Sequence, residues 1–306
     1  MPLNLHLLRM FATVVRTGSF SRAAEALHVS QPAISKGVAD FELQIGSRLL
    51  DRVPKGVRPT REGQALMRHA EALFAAERAA EEEMRSFRNL GEGSLRIGAS
   101  TTIASYMIAE YLGIFHNAYP SIDLHIISAN TREIADLTIG HEVDIALVEG
   151  PIKDENLTVK PWQTDAMELI VGPHHPFATA MMPIDPHAIA AETLIVREPG
   201  SGSREVVTKA LANHGIEPRR TLEIGSTEAI KQAVARGLGI SIVSTAAVTD
   251  QTAQGRLKII PMGDLKIQRR LWQLKIPGRL DAPAAVVFEQ LLNGKSANLA
   301  IANSPS

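Results

Sequence analysis

The run Ser30-Gln31-Pro32-Ala33-Ile34-Ser35-Lys36 admits few local structures. Ser30 suits a helix N-cap, its hydroxyl accepting from a backbone N–H of the first turn that has no partner within the helix. Pro32 then falls in that turn, where its missing N–H is not needed. Ile34, Val38, Phe41 and Ile45 follow at steps of four, three and four and make one apolar face. Gln31, Ser35 and Lys36 lie off that face, near the helix start. A helix that enters the major groove of DNA needs polar side chains there, because its leading turn meets the base edges.

The flanks agree. Leu8, Phe11, Ala12 and Val15 predict a first amphipathic helix, and Thr17-Gly18-Ser19 breaks it. Phe20 to Leu27 predicts a short second helix with Ala23, Ala24 and Leu27 inward, and His28-Val29 the turn. Gly46 stops the third helix at a favourable C-terminal position. Beyond it Arg48, Arg52, Lys55 and Arg58 surround Pro54-Lys55-Gly56, which predicts a basic hairpin, a wing over the phosphate backbone. Together, Phe11, Gly18-Ser19-Phe20-Ser21, Ala23-Ala24, Leu27, Ser30 to Ser35, Glu42, Gly46, Leu49, Arg52 and Thr60-x-x-Gly63 resemble the head of the LysR-type transcriptional regulators. Phe41 stands where leucine is common and Leu50 where phenylalanine is common; both keep the apolar character. The resemblance implies a multidomain α plus α/β chain: a winged helix-turn-helix head, a dimerising linker helix and a two-lobed α/β effector domain.

Composition is compatible with that architecture. The 306 residues have room for two or three domains. With no cysteine there is no disulfide framework and no thiolate nucleophile or metal ligand, which suits a reducing cytoplasm. No apolar run approaches the ~18 residues of a membrane span. Asn4, His6 and Arg9 interrupt the first apolar residues, so no secretory signal is expected. Residues 1–60 carry eight Lys/Arg against four Asp/Glu, and residues 92–306 carry nineteen against twenty-three. A positive head on an acidic remainder fits DNA binding, although the excess is small.

Thr60 is a suitable cap for a further helix, proline-free to Leu90. Leu66, Ala70, Leu73, Glu77, Ala80, Met84 and Phe87 alternate steps of four and three, a heptad seam with one polar interruption. Such a helix is ~42 Å long at 1.5 Å per residue. Asn89-Leu90-Gly91-Glu92-Gly93 ends it and serves as a hinge. Strands are expected at Ser94–Ala99, Ile122–Ile127 and Val143–Val148, with helices at Ile103–Asn117 and from a capping box at Asn130–Glu133 to Gly140. That alternation means parallel pairing. The chain then moves to a second lobe near Trp162, with strands at Met167–Val171, Leu194–Val196, Thr221–Ile224, Ile240–Val243, Leu257–Ile260 and Arg270–Ile276, and helices at Arg204–His214, Thr227–Arg236 and Ala282–Leu292. The halves resemble the lobe pair of periplasmic binding proteins. The expected division is a head at 1–60, a linker at 61–91, lobe I at 92–161 and 266–295, lobe II at 162–265 and a tail at 296–306.

In such sheets ligands sit beyond the carboxyl ends of the strands. There the sequence places Ser100-Thr101-Thr102, Ser128, Arg197, Ser201-Gly202-Ser203 and Thr227, largely hydroxyl and glycine residues at helix starts. Helix N-termini favour anions, so these residues are expected to hold a small anionic effector between the lobes. Arg197 and Arg204 add charge, unless they only pair with Glu198 or Glu205. The string Arg197 to Arg204 is also similar to regulators of sulfur assimilation and carbon fixation. His174-His175, flanked by prolines, reads as a loop, and no metal site or cofactor is expected. No GxSxG, HExxH or P-loop is present and Gly237-x-Gly239 is incomplete, so no enzyme is expected.

The sequence therefore predicts a cytoplasmic, sequence-specific regulator. Ser30, Gln31, Pro32, Ser35, Lys36, Arg52, Lys55 and Arg58 would face DNA, with Gln31 able to pair bidentately with adenine. Its partners would be promoter DNA, an effector, RNA polymerase and its own copies, as a homodimer assembling to a homotetramer. A solute receptor or an enzyme on the same lobes are the alternatives.

Overall fold

The computed structural model describes residues 3–54, 56–88, 93–152, 154–180 and 183–294. The chain divides into two compact units, Met1–Arg78 and Ala79–Ser306. Lys55, positions 89–92 of the expected hinge and the expected tail 296–306 lie outside the described residues, as does the side chain of Phe87.

In the first unit α1 (Leu5–Thr17), α2 (Phe20–Ala26) and α3 (Gln31–Ile45) precede a hairpin of β1 (Leu50–Val53) and β2 (Gly56–Pro59), and α4 (Arg61–Arg88) follows. Asn4, Ser19 and Ser30 cap the three short helices by accepting from first-turn N–H groups. Gly46 ends α3 with φ 76°, a conformation that costs glycine least. Leu8, Phe11, Ile34, Val38, Phe41 and Leu49 make the core. Gly37 lets α3 approach α1, because a Cβ there would lie 2.4 Å from Met10 Sδ. The apolar face of α3 is shorter than its spacing predicts: Ile45 is 37% exposed.

Helix α4 differs more from expectation. Met67, Ala70 and Phe74 enter the head's own core, with Leu66 against it. Leu73 and Met84 stay exposed, at 44% and 55%. The polar interruption Glu77 forms an ion pair with Arg9 of α1, whose guanidinium lies 4.8 Å from the Phe74 ring centre. The first turns of α4 thus serve the head through the row Gly63, Met67, Ala70 and Phe74, of which Ala70 alone belongs to the heptad row.

The second unit continues with β3 (Gly93–Ser100), α5 (Thr101–Tyr106), α6 (Ala109–Ala118), β4 (Ile122–Ala129), α7 (Thr131–Ile139) and β5 (Ile145–Glu149). Then come β6 (Thr158–Val171), β7 (Thr193–Val196), α8 (Gly202–Asn213), β8 (Arg220–Glu223), α9 (Thr227–Ala235), β9 (Ser241–Ser244), α10 (Thr249–Ala253), β10 (Lys258–Ile260), β11 (Ile267–Lys275) and α11 (Pro283–Leu292). Strands β3, β4 and β5 are parallel, as the alternation predicts. Strand β5 sends Ile145 and Leu147 to one face and Ala146 and Val148 to the other, so its apolar run is buried on both sides.

The second unit buries separate apolar clusters; lobe I denotes the part with β3–β5, α5–α7 and α11, and lobe II the part with β7–β10 and α8–α10. Strands β6 and β11 pair antiparallel from Ile267↔Met167 to Lys275↔Thr158 and run through both lobes. The passage near Trp162 is therefore continuous strand. The single helix expected at 103–117 is two, because Ile103 and Ile108 both reach the lobe I core. On a straight helix five residues rotate by about 140° and would separate them; here Ile108 N–H bonds back to Ile103 O at 3.0 Å and the chain turns.

Candidate nucleic-acid interface and effector cleft

In the head, burying Ile34, Val38 and Phe41 turns the opposite face of α3 to solvent. Gln31, Pro32 and Lys36 are exposed and Ser35 half-buried. The Ser30 hydroxyl accepts from Ala33 N at 3.4 Å, so it shapes the helix start. Glu42 fixes the wing from the other end of α3: its Oε1 accepts from Leu49 N at 2.7 Å and Leu50 N at 3.0 Å. Arg52 and Arg58 are exposed on adjacent strands, and the Arg52 guanidinium sits 6.0 Å from the Phe20 ring centre. This surface carries cations of the kind that suit a phosphate backbone, beside amide and hydroxyl groups of the kind that suit base edges.

In the second unit the carboxyl ends of the strands converge on a closed seam. Arg197, 5% exposed, stands at its centre. Its Nη1 donates to Thr227 Oγ1 of lobe II at 3.0 Å and its Nη2 to Thr101 Oγ1 of lobe I at 3.3 Å. Nε and Nη2 also grip Glu198 at 2.7 and 2.9 Å. Thr102, Arg197, Ser203, Thr227, Ser241 and Ser244 border a cavity of about 20 Å³, room for about one water.

Beside it lies a buried ionic cluster. Arg269 Nε bonds Asp165 at 2.7 Å, its Nη1 bonds Ser203 Oγ at 2.7 Å, and Glu149 Oε1 is 3.4 Å from that Nη1. Ser100 Oγ, Glu149 Oε2 and Arg269 Nη2 are buried without a hydrogen-bond partner. Such groups are costly unless a water or ligand meets them. Thr131 Oγ1 donates to Glu149 O at 2.9 Å and accepts from Gly202 N at 3.3 Å, tying the lobes directly. At the flank Tyr106 donates to Glu228 Oε2 at 3.2 Å, and Lys231 Nζ is 2.7 Å from the same oxygen. Burial raises the Tyr106 phenol pKa, whereas the hydrogen bond from Lys231 holds the Glu228 carboxyl below the usual range.

Residues 88–296 match the family described as the LysR substrate binding domain, and residues 5–64 the bacterial regulatory helix-turn-helix proteins of the lysR family. The chain belongs to the LysR family of transcriptional regulators. It has that family's DNA-binding head and effector-binding domain. A probable RuBisCO transcriptional regulator of Cyanidioschyzon merolae is 32% identical over 96% of this chain and 99% of its own. A full-length OxyR variant from Pseudomonas aeruginosa superposes with a TM-score of 0.75 at 26% identity, over 96% of this chain and 94% of that one. The regulatory domain of CcmR from Synechocystis PCC6803, solved in complex with 2-PG, covers 68% of this chain and 99% of its own, at 30% identity and a TM-score of 0.62. The relatives are named as regulators, and this LysR protein is a regulator rather than an enzyme.

Within the LysR effector domain the structure gathers most residues singled out from sequence. Thr102, Arg197, Ser203 and Thr227 line the cavity, and Thr101 bonds Arg197. Ser201 is buried as the residue preceding α8, and Gly202 lies against Glu149. Ser128 stands apart, exposed on the edge strand β4. Arg204 turns away, donating to Arg197 O and Glu223. His175 caps a short 3-10 turn, accepting from Phe177 N.

Sequence reasoning missed Ser241, Ser244, Asp165 and Arg269. The two serines left a signal, since Ser241 interrupts the buried run Ile240 to Val243 and Ser244 follows directly on it. Arg269 and Asp165 left none; their meeting depends on the β6–β11 register. Among the described residues no helix is long and apolar enough to cross a membrane.

Proposed function

We propose that this LysR protein regulates promoters according to the level of a small anion held between its lobes. The observation that carries the reading is Arg197, a buried guanidinium placed between a threonine of each lobe. A ligand anion at that point would touch both lobes and bias their closure, which linkage requires of an effector. Ser100, Thr101, Thr102, Ser201, Gly202, Ser203 and Thr227 are the other groups proposed to meet it. Ser128, exposed on its edge strand, is the remaining residue proposed to meet it. The CcmR complex with 2-phosphoglycolate makes a phosphorylated carboxylate the first candidate for this chain. Calorimetry with 2-phosphoglycolate, phosphate, sulfate and sulfite, against neutral glycerol, tests the class. Binding of glycerol alone would remove it.

The same reading gives the head its partner. Gln31 and Ser35 read base edges, while Lys36, Arg52, Lys55 and Arg58 neutralise phosphate. Ser30 and Pro32 set the helix start against the groove. Chains pair through α4, where the apolar and exposed Leu73 and Met84 support a second helix as neighbour. Pairs form a homotetramer that meets RNA polymerase at the promoter, in the cytoplasm. The division into a head at 1–60, a linker at 61–91, lobe I at 92–161 and 266–295, and lobe II at 162–265 belongs to this scheme. Sedimentation equilibrium tests the assembly: a monomer at micromolar concentration would remove it.

A further inference from the structure

We infer that Glu198 is the effector's internal competitor, its carboxylate holding on Arg197 the place that the effector's anionic group takes. The inference rests on the anionic-effector reading. Its geometry is a fork against a fork: Arg197 Nε to Glu198 Oε2 at 2.7 Å and Nη2 to Oε1 at 2.9 Å. A carboxylate or phosphoryl ligand engages a guanidinium in the same way. Arg197 has nowhere to go, since its side chain is 6% exposed and it is bonded to Thr101 and Thr227. Glu198 does, since its side chain is 23% exposed and its only ion pair among the described residues is with Arg197. The cavity beside the guanidinium, about 20 Å³ and not lined by Glu198, is too small for a phosphorylated carboxylate, so it offers the ligand no alternative to the place Glu198 holds.

Binding is then an exchange. The ligand's oxygens take the two N–H groups, Glu198 swings into solvent, and Arg197 stays neutralised throughout. The exchange selects ligands. An anion with two oxygens in one plane can replace the carboxylate, whereas a halide or a neutral isostere cannot. It also weakens binding. A carboxylate one residue away acts at an effective concentration in the millimolar range or above, and the affinity seen is reduced by the fraction of sites it leaves open.

The test is calorimetry of the full-length protein with sodium 2-phosphoglycolate at fixed ionic strength, on the wild type, Glu198→Gln and Glu198→Ala. Thermal melts establish that each variant is folded. Both variants are expected to bind roughly tenfold tighter or more, because the competing charge is gone. A wild type that binds beside folded variants that bind equally or more weakly would overturn the inference alone, and would make Glu198 a positioning residue for Arg197. If no form binds 2-phosphoglycolate, phosphate or sulfite, the anionic-effector reading falls and the inference with it. Tightening in one folded variant is enough to support it, so a failure of the other to fold leaves a decisive result.

Discussion

Asp165 and Arg269 face each other across the two strands that join the lobes, and Arg269 Nε lies 2.7 Å from Asp165 Oδ2. The Arg269 side chain is fully buried and also meets Glu149 and Ser203. An ion pair is therefore built into the passage between the lobes. Breaking a buried pair from one side leaves an uncompensated charge and costs roughly 3–5 kcal/mol. Arg269→Met, which strands both Asp165 and Glu149, is expected to destabilise more than Asp165→Asn, which leaves Arg269 with Glu149. Urea unfolding of the two variants decides: the reverse order, or no loss, would mean that water compensates the cluster.

The fold was legible where local chemistry sets it. Ser30, Gly46 and the Asn130–Glu133 capping box mark helix ends by hydrogen bonds within a few residues, and each is found at its expected place. The length of β6 was not legible, because its first residues, Thr158 to Ala166, owe their strand form to pairing with β11, over a hundred positions away. The burial of Met67 and Phe74 was hidden for a similar reason: heptad spacing cannot say whether a face meets the head or a partner. In the cleft, residues following strands were readable, since strand ends converge in this type of sheet. Arg269 lies within a strand, and only its partner's register brings it there.

Gln31 offers the most direct test of the head. Exposed at the first position of α3, it carries the amide that can pair bidentately with adenine. Gln31→Ala is expected to relax preference at one base pair by about 1–3 kcal/mol while affinity for random duplex is kept. Lys36→Ala, Arg52→Ala and Arg58→Ala should instead weaken all sequences alike, each lowering the salt slope by about 0.9 per head. Binding to a randomised operator pool at several salt concentrations separates the two classes. An unchanged preference in Gln31→Ala would assign that amide to backbone positioning.

Asp144 sets an acid limit on the second unit. Its Oδ1 accepts from Arg96 Nη2 at 2.7 Å and Arg279 Nη2 at 2.6 Å, and its Oδ2 from Arg96 N at 2.9 Å. Burial pushes this carboxyl up, but the hydrogen bonds and charges of Arg96 and Arg279 outweigh it, and the pKa lies below the usual value. A lowered folded-state pKa contributes stability that is complete above the unfolded value of about 3.9 and is lost as pH falls through the folded value. The wild type should therefore lose more stability than Asp144→Asn between neutrality and about pH 3, while the variant is the weaker protein at neutrality. Parallel pH slopes in urea titrations would remove Asp144 from the acid transition.

Gly202 packs directly against Glu149 and Thr131 across the seam between the lobes, and its substitution probes closure. A Cβ on Gly202 would lie 1.9 Å from Glu149 O and 2.8 Å from Thr131 Oγ1. Neither neighbour can yield easily, since the carbonyl belongs to the end of β5 and the hydroxyl bonds both Glu149 O and Gly202 N. Gly202→Ala must therefore part the lobes at this seam or strain α8, at a cost typical of overpacking, about 1–3 kcal/mol. Parting opens the cavity beside Arg197 and removes the contact between lobes that an effector would use. The expected outcome is a lower unfolding midpoint together with weaker 2-phosphoglycolate binding, because contacts from both lobes can no longer form at once. A variant that loses stability yet binds at wild-type affinity would place the ligand on one lobe alone.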